Sequence, residues 1–209
     1  MGGTRLAPAV QPTTARPRLT VQRRISYSAL SDLDLVAKAN GGDGHALDAL
    51  VERYAPRVQR LAQHLVLDLE DARDAAQESL EKLCTRLRQF RGDAQFATWL
   101  HRLVVNTCRD LSARQRLRRT EELNLVDEPT GDESDPSRLA LLGDVRRELL
   151  DGLARLSLDQ RVAVVLRDAV GLSYEEISRV ARMPVGTVKS YVHRGRERMR
   201  ARLEEPAAT

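Results

Sequence analysis

The chain has 209 residues, of which 42% are hydrophobic and 3% are aromatic, and its formal net charge at pH 7 is +4. This length provides a core for one or two ordinary domains, and the shortage of aromatic residues beside many Leu, Val, Ala and Arg favours helices over sheets. No apolar run reaches the roughly 20 residues of a membrane span, and Cys84 and Cys108 are too few for a disulfide framework. We therefore expect an all-α protein of the reducing cytoplasm, without a membrane span.

Charge is distributed unevenly along the chain. Residues 1–31 contain five Arg and no acid, whereas residues 120–144 contain eight acids and one Arg. Basic ends around an acidic middle are typical of a nucleic-acid-binding protein whose linker differs from its domains. Residues 1–30 are predicted to form a disordered tail, and the alternatives are a transit peptide and a start codon placed too early.

Four helices are predicted in the first half of the chain. Ser31 and Asp34 resemble a capping box, Asp68 can cap the third helix, and residues 40–44 form a loop. Pro56 removes a backbone hydrogen bond from the second helix, so we expect a kink there. The predicted helices cover residues 31–39, 45–66, 69–89 and 94–116, and they form a first domain over residues 31–117.

The third predicted helix has an apolar face and an acidic face. Its apolar residues are Ala72, Ala76, Leu80, Leu83, Cys84 and Leu87, and its outward residues are Asp71, Asp74, Gln77, Glu78 and Glu81. Acids in a first turn stabilise any helix through its dipole, which explains Asp71 and Asp74. Glu78 and Glu81 lie too far from the N-terminus for that explanation, so packing and helix chemistry leave them unexplained.

Aromatic and cationic residues cluster around the start of the fourth helix. The cluster comprises Phe90, Arg91, Phe96, Trp99, Asn106 and Arg109. Single-stranded DNA binding requires such a mixture, because bases stack on aromatic rings and cations neutralise the backbone. The alternative for Phe96 and Trp99 is that both rings only fill the core. The residues predicted to be buried in this helix are Phe96, Leu100, Leu103, Val104, Thr107 and Leu111.

An acidic segment and a second helical domain follow. Residues 118–137 show no sustained periodicity and contain two Pro and one Gly, so they are predicted to form a flexible linker. The second domain covers about residues 138–203. Its first helix places Leu142, Val145, Leu149, Leu153 and Leu156 in register. A capping box at Ser157 and Gln160 starts the next helix, which ends at Gly171 and buries Val162, Val165, Leu166 and Ala169.

The pattern of residues 171–199, two short helices joined by a tight turn, predicts a helix-turn-helix. Ser173 and Glu176 form a capping box for its first helix, which ends at Met183-Pro184. The second helix begins near residue 185 and has Val188, Val192, Gly195 and Met199 on its buried side. Its other faces present Thr187, Lys189, Ser190, Tyr191, His193, Arg194, Arg196, Arg198 and Arg200. Because Glu197 is the only acid among these cations, a phosphate-binding surface is favoured over the alternative, a helical hairpin with a solvated charged face.

The sequence indicates no metal, cofactor or catalytic site. His101 and Cys108 share a helix face, but the spacing positions no third ligand. A P-loop, a GxSxG segment and an HExxH segment are all missing from the sequence. We therefore expect a protein that is not an enzyme.

Three segments, in this order, resemble those of bacterial extracytoplasmic-function (ECF) sigma factors, the small two-domain branch of the sigma-70 family. They are DLEDARDAAQESLEKL (68–83), FRGDAQFATWLHRLVVNTCRDLSAR (90–114) and LSLDQRVAVVLRDAVGLSYEEISRVARMPVGTVKSYVHRGRERMR (156–200). The likeness covers about residues 31–203. It implies a subunit that binds core RNA polymerase and directs promoter recognition and melting, while the polymerase performs the catalysis. It also implies an anti-sigma factor as a further partner.

The resemblance implies roles for individual residues. The third helix corresponds to the segment that docks on the clamp of the largest polymerase subunit, through Asp74, Gln77, Glu78, Leu80, Glu81, Leu83 and Leu87. The next segment corresponds to the part that binds the minus-ten element as a melted strand, through Phe90, Arg91, Phe96, Trp99, Arg102, Asn106, Arg109, Asp110 and Arg114. The last helix corresponds to the part that binds the minus-thirty-five duplex, through Thr187, Lys189, Ser190, Arg194 and Arg198. The acidic linker resembles the segment that lies in the RNA-exit path.

Two features depart from the family pattern. A hydrophobic residue is more common where Ala75 and Ser79 stand, which bears on the affinity for the clamp. Gly195 replaces a more common alanine and lowers helix propensity by about 1 kcal/mol.

Two alternatives to a sigma factor are kept at this point. A stand-alone helix-turn-helix regulator would need a dimer interface or a sensor domain, and the acidic third helix has no role in it. A helical adaptor that binds only proteins would not depend on Arg194 and Arg198.

Overall fold

The computed structural model describes residues 26–123 and 144–204. Its helices are α1 (Asp32–Asn40), α2 (Gly44–Val66), α3 (Leu69–Arg86), α4 (Phe96–Leu123), α5 (Asp144–Ala154), α6 (Leu158–Val164), α7 (Tyr174–Ala181) and α8 (Val185–Glu204). Single 3-10 turns lie at Tyr27–Ala29 and Leu87–Gln89, and a π-helical turn lies at Val165–Ala169. All regular structure in the two described ranges is helical, which confirms the all-α prediction. Residues 1–25 of the predicted tail and residues 124–137 of the predicted linker lie outside these ranges.

The first domain is a bundle of α1 to α4 whose core lies between α2, α3 and α4. Its predicted helix starts are confirmed, because Ser31 Oγ accepts a hydrogen bond from the Asp34 N–H and the Asp68 carboxylate accepts from two backbone N–H groups of α3. Helix α2 continues as one element through Pro56. The kink expected there stays a prediction.

The first domain begins earlier than predicted. Arg53 of α2 donates hydrogen bonds to the backbone carbonyls of Tyr27, Ser28 and Leu30, at 2.9 to 3.4 Å. The same guanidinium pairs with the Asp32 carboxylate at 2.7 Å. Residues 26–30, which we assigned to a disordered tail, therefore form a turn that is held against the bundle by Arg53 and by the Tyr27 hydroxyl, which donates to Asp43 at 3.0 Å.

The inner face of α3 is made of smaller residues than predicted. Ala75 and Ser79 are both buried, and Ser79 Oγ donates to the Ala75 carbonyl at 2.6 Å. Cys84, predicted to be buried, is exposed, because it follows the buried Leu83 by one residue, which is about 100° around the helix. Leu80 is only half-buried. The small size of Ala75 and Ser79 is thus a matter of core packing, not of the outer surface.

Helix α4 is longer than predicted, with 28 residues that end at Leu123. Residues 118–123, which we assigned to the linker, are helical, since the Arg, Glu and Leu in this segment have high helix propensity. Val105 and Cys108 are buried although they were not predicted to be, whereas Leu111 is half-buried.

The second domain comprises α5 to α8, and both of its predicted capping boxes are confirmed. Leu149 and Ala169 were predicted to be buried and are exposed. Ala169 lies in the π-helical turn, whose extra residue per turn shifts the side chains out of the α-helical register. Leu149 precedes the part of α5, at Gly152 and Leu153, that packs inward. Leu142 and the side chain of Val145 lie outside the described part of the chain.

Gly195 of α8 is explained by a close approach. A Cβ atom at Gly195 would lie 2.5 Å from Val164 Cγ2 and 3.5 Å from Leu156 Cδ1. Only glycine lets α8 pack this closely on α6, so the packing offsets the lower helix propensity.

The turn of the helix-turn-helix differs slightly from the prediction. Helix α7 ends at Ala181, two residues before Met183, because Arg182 adopts a left-handed conformation with φ of 54°. Ser178 Oγ then donates to the Met183 carbonyl at 2.5 Å, and Pro184 starts α8 by accepting from the Val188 N–H at 3.0 Å.

The two domains pack against each other. Helix α4 contacts α7, and α2 contacts α6. The buried hydrophobic residues of both domains form one continuous cluster.

Candidate polymerase and nucleic-acid interfaces

The outer face of α3 is an acidic and amide surface. Asp74, Gln77 and Glu81 are exposed, and the Gln77 amide donates to the Glu81 carboxylate at 3.1 Å. Leu83 and Leu87, predicted to support polymerase binding, are buried and hold α3 to its own bundle. The exposed residues are therefore the part of the predicted set that can contact another protein directly.

Glu78 has a different environment from the other acids of α3. It pairs with Lys82 at 2.8 Å and with Arg114 of α4 at 3.2 Å. The hydrogen bond from Lys82, followed by that from Arg114, holds the pKa of this carboxyl below its usual range. Glu78 thus connects α3 to α4. It was predicted to bind polymerase, and its partner Arg114 was predicted to bind DNA.

Lys82 is a residue that the sequence analysis missed. Its ammonium group donates to Thr107 Oγ1 at 2.9 Å and lies 2.8 Å from Glu78 and 3.7 Å from Asp110. A mostly buried lysine between two carboxylates fixes the relative position of α3 and α4. The four-residue spacing of Glu78 and Lys82 was the available signal, since such pairs face each other on a helix.

The aromatic cluster is mainly a packing feature in this conformation. Phe90 and Phe96 are 9% and 2% exposed, and their rings meet edge to face at 5.3 Å between centroids. Trp99 packs on both rings, at 5.7 and 5.5 Å, and is partly exposed. Core packing, the alternative kept for Phe96 and Trp99, explains Phe96 fully. Base stacking by these rings stays a prediction, for which Trp99 is the most accessible.

The charged and polar residues of this region have two kinds of environment. Arg91 and Arg102 are exposed, as are Asp110 and Arg114, and Asn106 is half-buried. Arg109 is instead bonded to the second domain. Its Nη2 lies 2.8 Å from Asp159 Oδ1, and its Nη1 donates to the Ala181 carbonyl at 2.9 Å.

The basic face of α8 is open. Lys189, Ser190, Arg194 and Arg198 are exposed, and Thr187 is half-buried. Arg194 bonds within its own helix, to the Ser190 carbonyl at 3.3 Å and over the Tyr191 ring. Arg198 donates to Gln160 of α6 at 2.9 Å, so it also stabilises the domain.

None of the helices in residues 26–123 and 144–204 is long and apolar enough to cross a membrane. The same ranges hold no group of three His, Cys, Asp or Glu side chains arranged to bind a metal ion.

Comparison with protein families gives two matches, one in each domain. Residues 50–119 match Sigma-70 region 2, and residues 146–199 match Sigma-70, region 4. The chain is 36% identical over 174 residues to the RNA polymerase sigma-H factor of Pseudomonas aeruginosa, which covers 79% of this chain and 90% of that protein. It is also 36% identical over 176 residues to the ECF RNA polymerase sigma-E factor of Salmonella typhimurium, with 80% and 92% covered.

Two solved structures are similar in fold. One is the structure of CnrH in complex with the cytosolic domain of CnrY, with 25% identity, a TM-score of 0.63, and coverage of 84% of this chain and 99% of that one. The other is the sigma factor RpoE in complex with the anti-sigma factor NepR from Bartonella quintana, with 24% identity, a TM-score of 0.61, and coverage of 76% and 97%.

The family matches decide between the three functions that the sequence left open. A stand-alone regulator and a protein-binding adaptor both leave one of the two matched domains without a role. The matches cover both domains in the expected order, and the chain belongs to the ECF group of the sigma-70 family, RNA polymerase sigma factors that act in transcription initiation.

Proposed function

We propose that this sigma factor divides promoter recognition between its two domains. The first domain binds the clamp of core RNA polymerase through the exposed face of α3 and binds the melted minus-ten strand through α4. The second domain places α8 in the major groove of the minus-thirty-five duplex. The polymerase performs the catalysis, so no catalytic residue is assigned to this chain, and its place of action is the cytoplasm.

The observation that carries this proposal is the separation of charge between two exposed helix faces. Asp74, Gln77 and Glu81 present acids and an amide on α3, a surface suited to a basic protein partner. Lys189 and Arg194 present cations on α8, which suit phosphates and the edges of guanine bases. Two weak binding modules on one chain gain affinity together, because binding of one raises the effective concentration of the other.

An anti-sigma factor is proposed as a further partner. The sigma factor RpoE of Bartonella quintana, which has the same fold as this chain, was solved in complex with the anti-sigma factor NepR, and this supports the proposal. Such a partner would have to cover surfaces that polymerase or DNA needs, and the exposed α3 and α8 faces are the candidates.

The proposal is tested by exchanging charges on one face at a time in the full-length protein. Asp74→Lys with Gln77→Lys should prevent co-purification with core polymerase, because it places cations against a basic partner. Glu52→Lys with Gln59→Lys is the matched control, since it adds the same charge at two exposed positions of α2. Normal co-purification of the α3 variant would move the docking surface to another part of the molecule.

The second variant separates polymerase binding from promoter binding. Arg194→Glu should leave co-purification intact and abolish initiation at a defined promoter, selected from a random library with the wild-type holoenzyme. Arg60→Glu, an exposed charge reversal on α2, is the control. Undiminished initiation by the Arg194 variant would contradict the assignment of α8.

A further inference from the structure

We propose that Tyr191 is a positioning residue for promoter recognition: its ring holds the Arg194 guanidinium in one direction, so that the two outer donor groups of Arg194 bind one guanine of the minus-thirty-five duplex. The inference rests on the proposed function of α8. It adds the identity of one base and the residue that makes recognition of this base selective. Tyr191 was not among the residues predicted to bind DNA.

Arg194 keeps its two outer donor groups available. Its Nε donates to the Ser190 carbonyl at 3.3 Å, and among the residues that the structure describes its Nη1 and Nη2 form no hydrogen bond. The next two arginines of α8 are engaged within the second domain, because Arg196 pairs with an aspartate of the π-helical turn and Arg198 donates to α6. Two parallel donors match the O6 and N7 acceptors of guanine. Of these three arginines, Arg194 is therefore the one suited to bind that base.

The Tyr191 ring restricts the direction of these donors. Arg194 Cζ lies 5.4 Å from the centroid of the ring, which is within the range of a cation–π contact. Tyr191 precedes Arg194 by three residues, so the two side chains are neighbours on the surface of α8. The guanidinium is thus held by a ring at one place and by a carbonyl at its Nε. It loses less freedom when it binds a base, because part of the ordering has already taken place.

Tyr191 is itself held in place by the domain. It is half-buried and packs against the hydrophobic core, and Val188 and Val192 of the same helix are buried. A tyrosine side chain has only two rotatable bonds, so little conformational freedom remains once one side of the ring is packed. The ring is therefore a fixed support for Arg194, and not a second mobile side chain.

The other exposed cation of this surface, Lys189, has a different kind of ring contact. Its Nζ lies 5.7 Å from the centroid of the Tyr174 ring, and the same ring is contacted by Arg167 at 4.7 Å. An ammonium group is a compact charge whose donors rotate, whereas a guanidinium is a planar fork. A ring contact therefore adds direction at Arg194, whereas at Lys189 it adds only proximity.

The test measures the base preference of the holoenzyme along a minus-thirty-five duplex. The duplex is first selected from a random library with the wild-type holoenzyme, and fluorescence anisotropy then gives the affinity for it and for each single base-pair replacement. Arg194→Ala identifies the contacted base pair as the position at which preference is lost. Tyr191→Leu removes the ring and keeps an apolar side chain. Tyr191→Phe, which keeps the ring, is the matched control.

The wild type should prefer guanine at that position over the other bases by about tenfold. Tyr191→Leu should reduce this preference to about threefold or less at the same position, and Tyr191→Phe should retain it. Replacing the guanine with 7-deazaguanine, which lacks the N7 acceptor, should weaken binding of the wild type by about threefold to tenfold and should hardly affect Tyr191→Leu. In the Arg194→Ala background, Tyr191→Leu should change the preference no further, because a positioning residue acts only through its partner.

Three results would overturn the inference: an unchanged guanine preference in Tyr191→Leu, an equal loss of affinity for every sequence, or a loss of preference at a position other than that of Arg194. A base other than guanine at the position that Arg194→Ala identifies overturns it as well. Preference is a ratio of two affinities of one sample, so partial unfolding of a variant cancels. If Tyr191→Leu loses helicity, Tyr191→Met, which also lacks the ring, replaces it under the same criteria.

Failure of the inference and failure of the proposed function are distinguishable. The proposed function of α8 fails if Arg194→Glu initiates at the selected promoter as well as the wild type does. If Arg194→Glu abolishes initiation and Tyr191→Leu retains the guanine preference, α8 keeps its proposed function and only the positioning role of Tyr191 is lost.

Discussion

The two helices expected to contact promoter DNA, α4 and α8, have different surroundings in the same chain. Arg109 of α4 is bonded to the second domain, and the Nδ1 atom of the half-buried His101, two turns earlier, is buried. Lys189 and Arg194 of α8 are exposed. Lys189 and Arg194 can therefore contact a duplex as they stand, whereas Arg109 must first give up its bonds to Asp159 and Ala181.

The largest effect is expected from Gly195→Ala, because it disturbs the packing of α8 on α6. A methyl group there would lie 2.5 Å from Val164 Cγ2, so the buried contact must give way. We expect the free energy of unfolding to fall by about 2 to 3 kcal/mol, although alanine has the higher helix propensity. Urea denaturation measures this. Gly186→Ala in the same helix meets no atom within 4 Å and should be neutral or slightly stabilising. An unharmed Gly195 variant would mean that α8 and α6 are farther apart.

The burial of the His101 ring on α4 can be tested with pH. Burial, followed by the charge of Arg57, lowers the pKa of His101 from 6.5 to about 4, while Glu176 acts weakly in the other direction. Above pH 6.5 the ring is neutral in the folded and unfolded states, and between 6.5 and 4 mainly the unfolded state takes up a proton. The free energy of unfolding should therefore decrease as the pH is lowered, by about 2 kcal/mol between pH 7 and pH 5 through this residue.

Chemical denaturation at several pH values measures that loss. His101→Leu should flatten the profile. A profile that His101→Leu does not alter would show that the α4 face is solvated.

The exposed arginines of α8 are expected to differ in importance. Arg194 bonds only within its own helix among the described residues, whereas Arg198 also donates to Gln160 of α6. Arg194→Ala should weaken binding of a minus-thirty-five duplex by about 1 to 2 kcal/mol, and Arg198→Ala should weaken it less. Fluorescence anisotropy with holoenzyme measures both affinities, and denaturation controls for folding. The reverse order would place Arg198 closer to the DNA.

The smallest expected effect concerns the cap of α7, the helix that both supports α8 and supplies the acceptor for Arg109. Ser173 Oγ accepts from the Glu176 N–H, and the Glu176 carboxylate accepts from the Ser173 N–H at 2.8 Å. Ser173→Ala should lower the free energy of unfolding by about 1 kcal/mol, and Ser173→Asp, which can still cap, should retain most of it. Equal losses in both variants would assign the effect to something other than capping.

Local signals made most of the fold predictable. Capping boxes at Ser157 and Ser173 are read from residues three apart and the cap at Asp68 from its residue type, and all three are present. The exposure of Cys84 and Ala169 was not predictable, because it depends on which side of a helix meets a neighbour and on a π-helical turn without a sequence signature. These errors are errors of helix orientation, not of helix existence.

The helices that carry the candidate sites were predictable, but the contacts that their side chains make were not. The sequence pattern and the family resemblance together point to α3, α4 and α8. The bonds of Arg109 to Asp159 and of Arg161 to Leu65 join residues that are 50 and 96 positions apart, which no local pattern encodes. The reason for Gly195 likewise lies in Val164, on another helix.

The length of α4 and of the chain that follows it limits how far the second domain can lie from the first. Its 28 residues form a rod of about 42 Å. Twenty residues separate its last residue, Leu123, from Asp144, and covalent geometry limits their stretch to about 70 Å. The second domain is thus connected to the far end of α4 by at most about 70 Å of chain, and this length limits how far that domain can lie from the first.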